Sequence, residues 1–200
     1  MKWLNGTKKW DYTMIKAVYD ACVLYSASLR NLLLRLASEG LVFPLWSEEI
    51  RDEWIHSLLR NRSDLLKEKL ERTRREMDFY FPNGLVHGYE TITQTLSLPD
   101  PNDRHVLAVA IHAKAKYIVT FNLGDFPKTI LLPYGIEAVS PDKFVLRLIQ
   151  NDPRHVLRAV RHHRLSLKRP AKSVHEYLAT LEKQGLSQTV AFLREHEADI

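Results

Sequence analysis

Hydrophobic positions along this chain switch between two periods, and the clearest switch falls in residues 98–127, LPDPNDRHVLAVAIHAKAKYIVTFNLGDFP. Val106, Leu107, Ala110, Ile111 and Ala113 recur at helical spacing, so one helix face is apolar. Asp100 is suited to cap that helix, and Pro101 to occupy its first position. After a turn at Ala115-Lys116, Tyr117–Phe121 forms a short β-rich run, the pattern of a strand buried on both faces. It stops at Asn122-Leu123-Gly124-Asp125.

The same reading extends to the rest of the chain. Ile15–Tyr19 is a strand that ends on Asp20. Leu29, Leu32, Leu33 and Leu36 mark a helix over 26–38, with Gly40 as its C′ residue. Residues 41–44 read as a connector, and Ser47 caps a helix that carries Glu49, Ile50 and Glu53. Residues 60–78 are densely charged, as in an exposed helix or helix pair broken by Pro82-Asn83-Gly84. Residues 85–96 fit a strand or a short helix equally well. Residues 135–139 predict a last edge strand, and Ser140 caps a helix to about Gln150. Beyond Asp152-Pro153 only helical periodicity remains. Strands alternating with helices predict an α/β domain with a parallel sheet over 14–150. A small all-helical module then follows over 151–200, and 1–13 is an N-terminal extension.

Composition narrows the setting. With 45% hydrophobic and 26% charged residues, the chain has the make-up of a soluble globular protein. It contains no bilayer-length apolar run and no apolar signal segment, so no membrane partner is expected. The single cysteine, Cys22, excludes an intramolecular disulfide and fits a reducing cytoplasm. The net charge of +5 favours a polyanionic partner.

The candidate chemistry is acidic. Asp20 ends a strand, Glu53 lies in a helix, Asp103 opens another helix, and Asp125 follows a strand. In a parallel sheet, Asp103 and Asp125 share the edge where such folds bind ligands. Carboxylates drawn together repel one another unless a cation intervenes, and hard oxygens suit Mg²⁺ or Mn²⁺. Glu49 competes with Glu53 as the second acid, although its first-turn position suits capping. Thr120 could orient a metal-bound water, and Asn122 is either functional or turn chemistry. His105 and His112 read as surface or packing residues, and Cys22 as a small apolar residue. Residues 151–170 hold Arg154, Arg158, Arg161, Arg164, Lys168 and Arg169 against the lone Asp152, a surplus equal to that of the whole chain. That face either tracks a phosphate backbone or is simply solvated. The 60–75 cluster, mixed with Asp64, Glu68 and Glu71, reads as solvated.

VYDACVLY, SEEIRDEW and DPNDRHVLAVAIHAKAKYIVTFNLGDFP occur in this order and together resemble PIN-domain ribonucleases, of the kind found as VapC-type toxins of toxin–antitoxin pairs. The resemblance covers roughly residues 14–145. The helical tail is similar to the C-terminal extension of one VapC subgroup. The resemblance implies a three-layer PIN-like fold around a mainly parallel sheet. It also implies Mg²⁺- or Mn²⁺-dependent cleavage of single-stranded RNA by an activated water. Asp20, Glu53, Asp103 and Asp125 match the family's acids, and Thr120–Phe126 its TxNxxDF-like segment. Phe121 departs from the pattern, because many relatives place a basic residue there. A cognate antitoxin is the implied partner, with room for a homodimer. Two rival readings are a PIN nuclease of RNA processing without an antitoxin, and a non-catalytic nucleic-acid-binding regulator. Retention of all four acids argues against the second.

Overall fold

The structure is a computed structural model and describes residues 14–168 and 170–200, so the expected extension 1–13 and Arg169 lie outside the described residues. The described chain divides into two compact units. One comprises residues 15–25 and 43–139, and the other Met14, residues 26–42 and residues 140–200.

The first unit is built on four parallel strands, β1 (Lys16–Tyr19), β2 (Phe43–Leu45), β3 (Tyr117–Val119) and β4 (Glu137–Val139), in the order β2-β1-β3-β4. In register, Val18 pairs with Leu45 on one side and with Ile118 on the other. The two central strands are the apolar runs expected of a sheet covered on both faces, and Tyr117, Ile118 and Val119 are all buried. The helices of this unit are α1 (Ala21–Tyr25), α3 (Glu48–Asn61), α4 (Lys67–Tyr80), α5 (Glu90–Thr93), α6 (Arg104–His112) and α7 (Lys128–Leu131); α2 belongs to the other unit.

One detail departs from the sequence reading, and two open ones are resolved. Residues 43–45, the first two of them expected within the connector 41–44, form β2. β2 is an edge strand, where the N–H that Pro44 lacks costs no ladder bond. The ambiguous 85–96 stretch is a single bridge, Trp46 to Leu85, followed by α5. Gly84 is required beside that bridge, because an added Cβ would lie 3.0 Å from both the Pro44 carbonyl and the Trp46 ring. The charged 60–78 stretch contains the end of α3 and most of α4, joined by ion pairs. Arg51, almost wholly buried, contacts Glu48 and Asp78, and Arg74 reaches Asp52 at 2.8 Å and also Glu48.

The second unit is helical: α2 (Ala27–Ser38), α8 (Pro141–Asn151), α9 (Pro153–Ser166), α10 (Val174–Glu182) and α11 (Ser187–Arg194). Ser26, Ser140, Asp152 and Ser173 cap α2, α8, α9 and α10 through their side chains. Leu186 gives α11 no such cap. Its orphan N–H groups at Gln188 and Thr189 are taken instead by the Asp142 carboxylate of α8, at 3.0 and 2.8 Å. The sequence reading set the boundary near 151, after α8. This division falls before α8, at Ser140, and takes α2 along as well.

α9 packs on α2 with Val156, Ala159, Val160 and His163 buried, one stripe at helical spacing. Leu29, Leu32, Leu33 and Leu36 of α2 are fully buried, each contributing about 1.5–3 kcal/mol. The contact is fixed by Glu39, 11% exposed, which takes Arg158 at 2.6 Å and His162 Nδ1 at 3.0 Å. Glu39→Gln should therefore lower the melting temperature by roughly 2–4 °C, the effect of about 1 kcal/mol in a chain of this size. Arg161→Ala, on the exposed face of α9, should leave it unchanged; thermal melts followed by circular dichroism check both.

Candidate active site

The strand order decides where a site can form. From β1 the chain leaves toward β2, whereas from β3 it leaves toward β4, so the connections diverge between β1 and β3. In open parallel sheets the crevice at such a switch point, beyond the carboxyl ends of the strands, is where ligands bind. Asp20 follows β1 and Thr120 follows β3. Their backbone N–H groups continue the ladder, Asp20 donating to Val119 and Thr120 to Val139 at 3.1 and 3.0 Å.

Both side chains are buried, and the Thr120 hydroxyl donates to Asp20 Oδ2 at 2.6 Å. The Cys22 thiol also faces Asp20 Oδ2 at 3.2 Å and lies 3.4 Å from Thr120 Oγ1. Two backbone donors close the cluster, Phe121 N–H on Cys22 Sγ at 3.3 Å and Asn122 N–H on Thr120 Oγ1 at 3.0 Å. Burial, with the Asp20 charge second, pushes the Cys22 thiol up to about 12, so it stays protonated and is no nucleophile. Its position two residues after the acid makes it a support for Asp20, a role that its sequence context did not signal.

Asp103 sits in a short 3₁₀ turn, Pro101–Asp103, that opens α6. Asp100 caps this turn by accepting from Asn102 N–H at 2.8 Å. Partial burial, followed by the charges of Asp20, Asp125, Asp100 and Glu53, raises Asp103 to about 7. Three of the acids singled out from the sequence, Asp20, Asp125 and Glu53, therefore act on the fourth, Asp103. Asn122 joins the cluster through its backbone, and its side chain is exposed.

The second acid is a shared arrangement. Glu49 and Glu53 are one turn apart on α3 and face the buried His105 together, with Glu53 2.9 Å from Nε2 and Glu49 3.7 Å from Nδ1. The Glu53 pair is close in distance but bent away from a linear hydrogen bond. Burial alone would lower the His105 pKa, but Glu53, Glu49 and Asp20 outweigh it and raise it. The sequence pattern classed His105 as a surface or packing residue. It is packed, and it also sets an imidazole between two acids that favour its protonated form. Their i,i+4 spacing on α3 was the available signal.

Among the described residues, no three His, Cys, Asp or Glu side chains form a ready-made cation cage. The donor set nevertheless fits a hard divalent ion, since it is all carboxylate oxygen, and its partial burial and mutual repulsion hold a proton on Asp103 near neutrality. A separate cleft lined by Ala110, Lys114, Tyr134 and Gly135 lies at the other end of α6 from Asp103. The basic residues of the tail belong to the helical unit. Arg158 is held by Glu39, and Arg164 donates to the Lys172 and Ile200 carbonyls at 3.2 Å. Arg154, Arg161 and Lys168 are exposed.

Such a site places this unit among α/β proteins whose ligand centre is an acidic cluster at the switch point of a parallel sheet. The chain belongs to the PIN-domain family, whose model matches residues 16–124, and the VapC50 C-terminal domain model matches residues 141–195. A stretch of 69 residues is 44% identical to the "Putative ribonuclease VapC50" of Mycobacterium tuberculosis (strain ATCC 25618 / H37Rv). It covers 32% of this chain and 40% of that protein, less than half of its length. No solved structure matches the chain significantly. No helix among the described residues is long and apolar enough to cross a membrane.

The raised Asp103 pKa has a sign that can be tested. Between the ordinary 3.8 and about 7 the folded protein holds a proton that the unfolded chain has released, so stability falls as pH rises through this window. Asp103→Asn, measured in chelator, should raise the melting temperature above pH 7, with the gain fading to nothing at acid pH. Solvent screening at this half-exposed group leaves about 1 kcal/mol, or roughly 2–4 °C.

Proposed function

We propose that this chain is a Mg²⁺- or Mn²⁺-dependent endoribonuclease that cleaves single-stranded RNA and acts in the cytoplasm as the toxin of a toxin–antitoxin pair. The observation that carries the chemistry is the coupling of Asp20, Glu53 and Asp125 to Asp103 at the switch-point edge. The relative named as a VapC ribonuclease and the match over 141–195 support the toxin role and a cognate antitoxin as partner.

Asp20, Glu53, Asp103 and Asp125 would hold the metal, which supplies positive charge beside a phosphodiester and lowers the pKa of a water. The remaining parts belong to the chain itself. Thr120 and Cys22 fix the Asp20 carboxylate, and Thr120 spends its proton on that bond. This makes Thr120 a positioning residue for the acid. His105 holds Glu53 and balances its charge against Glu49. Asn122, exposed on the adjoining loop, is available to substrate. Among the described residues of the basic set, Arg154, Arg161 and Lys168 are left for phosphate contacts, because Arg158 and Arg164 have internal partners.

The purified protein should cleave a single-stranded RNA in Mg²⁺ or Mn²⁺ and lose that activity in EDTA. Asp103→Asn should reduce the rate on the order of 10³-fold or more. Cleavage that survives chelation would refute the metal mechanism. Induced expression should arrest growth, and co-expression of the antitoxin should relieve it; cells that keep growing while the protein cleaves RNA would refute the toxin role. Replacing Arg154, Arg161 and Lys168 with alanine should flatten the log–log salt dependence of RNA binding by roughly 0.7 per lost phosphate contact. An unchanged slope would return this face to plain solvation.

A further inference from the structure

After Thr120, which is fully buried, the chain turns outward at once. Phe121 is 46% exposed and Leu123 is 45% exposed, whereas Phe126, which ends the loop, is buried. Turn positions of this kind ordinarily carry polar residues, and here two large apolar side chains stand at the edge of an acidic cluster. An added Cβ at Gly124, between Leu123 and Asp125, would meet nothing within 4 Å, so this part of the loop faces open space.

The backbone beneath these side chains is held at both ends of the loop. Phe121 N–H is fixed on Cys22 Sγ and Asn122 N–H on Thr120 Oγ1. Asp125 N–H donates to the Asn122 carbonyl at 3.1 Å and Phe126 N–H to the Leu123 carbonyl at 3.3 Å. The Phe121 backbone and the Asp20 carboxylate thus share one bonded cluster through Cys22. The point from which the ring projects is thereby tied to the acid. An anchored backbone also reduces the ordering cost when a partner settles on its side chains.

We propose that Phe121, flanked by Leu123, is a stacking platform for an unpaired nucleobase next to the scissile phosphate. This rests on the ribonuclease reading above and adds a substrate subsite to it. The ring face supplies what a flat base needs, and stacking is open only to a base outside a duplex. The platform therefore selects single strands by shape, with little preference for sequence. It also answers how the chain manages without a basic residue at this position: the grip here is on the base and not on the phosphate.

The test is direct binding of a fluorescein-labelled single-stranded RNA 12-mer in Mg²⁺, measured by anisotropy with the full chain in an Asp103→Asn background that does not cleave. Adding Phe121→Leu should weaken binding roughly tenfold or more, while Phe121→Tyr and Phe121→Trp should keep it. Phe121→Trp should also show indole quenching on RNA addition beyond that of the four native tryptophans. A 12-mer of abasic residues should bind equally well with and without Phe121→Leu, a comparison that separates loss of stacking from loss of fold. Equal affinity for the normal 12-mer with and without Phe121→Leu would overturn the platform and leave the nuclease reading standing. Retained RNA binding with lost antitoxin binding in Phe121→Leu would overturn it in favour of a protein-docking ring. Failure of the unsubstituted chain to bind or cleave the 12-mer in Mg²⁺ or Mn²⁺ would overturn both readings.

Discussion

The arrangement depends on a repulsion that the fold has to contain. Asp20, Asp103, Asp125 and Glu53 come from four segments that would separate if they were free. Partial burial and the field of the neighbouring acids together lift Asp103 to about 7. What fixes the first of them is the register of two parallel strands. Val18 pairs with Ile118 and Tyr19 with Val119, which brings the next residues, Asp20 and Thr120, to the same edge and within 2.6 Å. A buried ladder that must keep its bonds thereby sets the position of a charge that resists being placed. Crowded carboxylates cost stability and also make the edge attractive to a cation, so the cost and the proposed function have one origin.

The supporting residues show how economically this is done. Thr120 satisfies Asp20 on one side and receives Asn122 N–H on the other. Cys22 does the same between Asp20 and Phe121. On α3, successive faces do different work. Glu49 and Glu53 face His105, whereas Glu48, Arg51 and Asp52 tie the helix to α4. A helix pinned on one side through a buried arginine gives its other side a defined position.

Much of this was legible in the sequence because it follows local rules. The apolar run at 117–119, the caps at Ser47, Asp100 and Ser140, and the acids at element ends all read directly from spacing. What was hidden depends on tertiary pairing. β2 was missed because Pro44 fits a strand only at an edge, and tertiary pairing decides which strand that is. His105 and Cys22 have no local signature, and only the packing of α6 and the switch point gives them charged neighbours. Arg158 and Arg164 looked equivalent to Arg154 and Arg161 in a basic stripe. Glu39, 119 residues away from Arg158 in sequence, sets that arginine apart, and the Lys172 and Ile200 carbonyls set Arg164 apart.

That separation has a consequence in time. The helical unit is assembled largely from residues 26–42 and 140–200, with residues 43–139 of the sheet unit synthesised in between. At 5–20 residues per second, Arg158 follows Glu39 out of the ribosome by roughly 6–24 s. For that interval the four leucines of α2 have been made but the helix that covers them has not. A nascent chain that has completed its acidic edge therefore still carries an unfinished apolar helix, open to chaperones and proteases. A chain cut short before α9 would keep that helix bare permanently, and the quality-control machinery of the cell would meet a completed acidic edge together with four uncovered leucines.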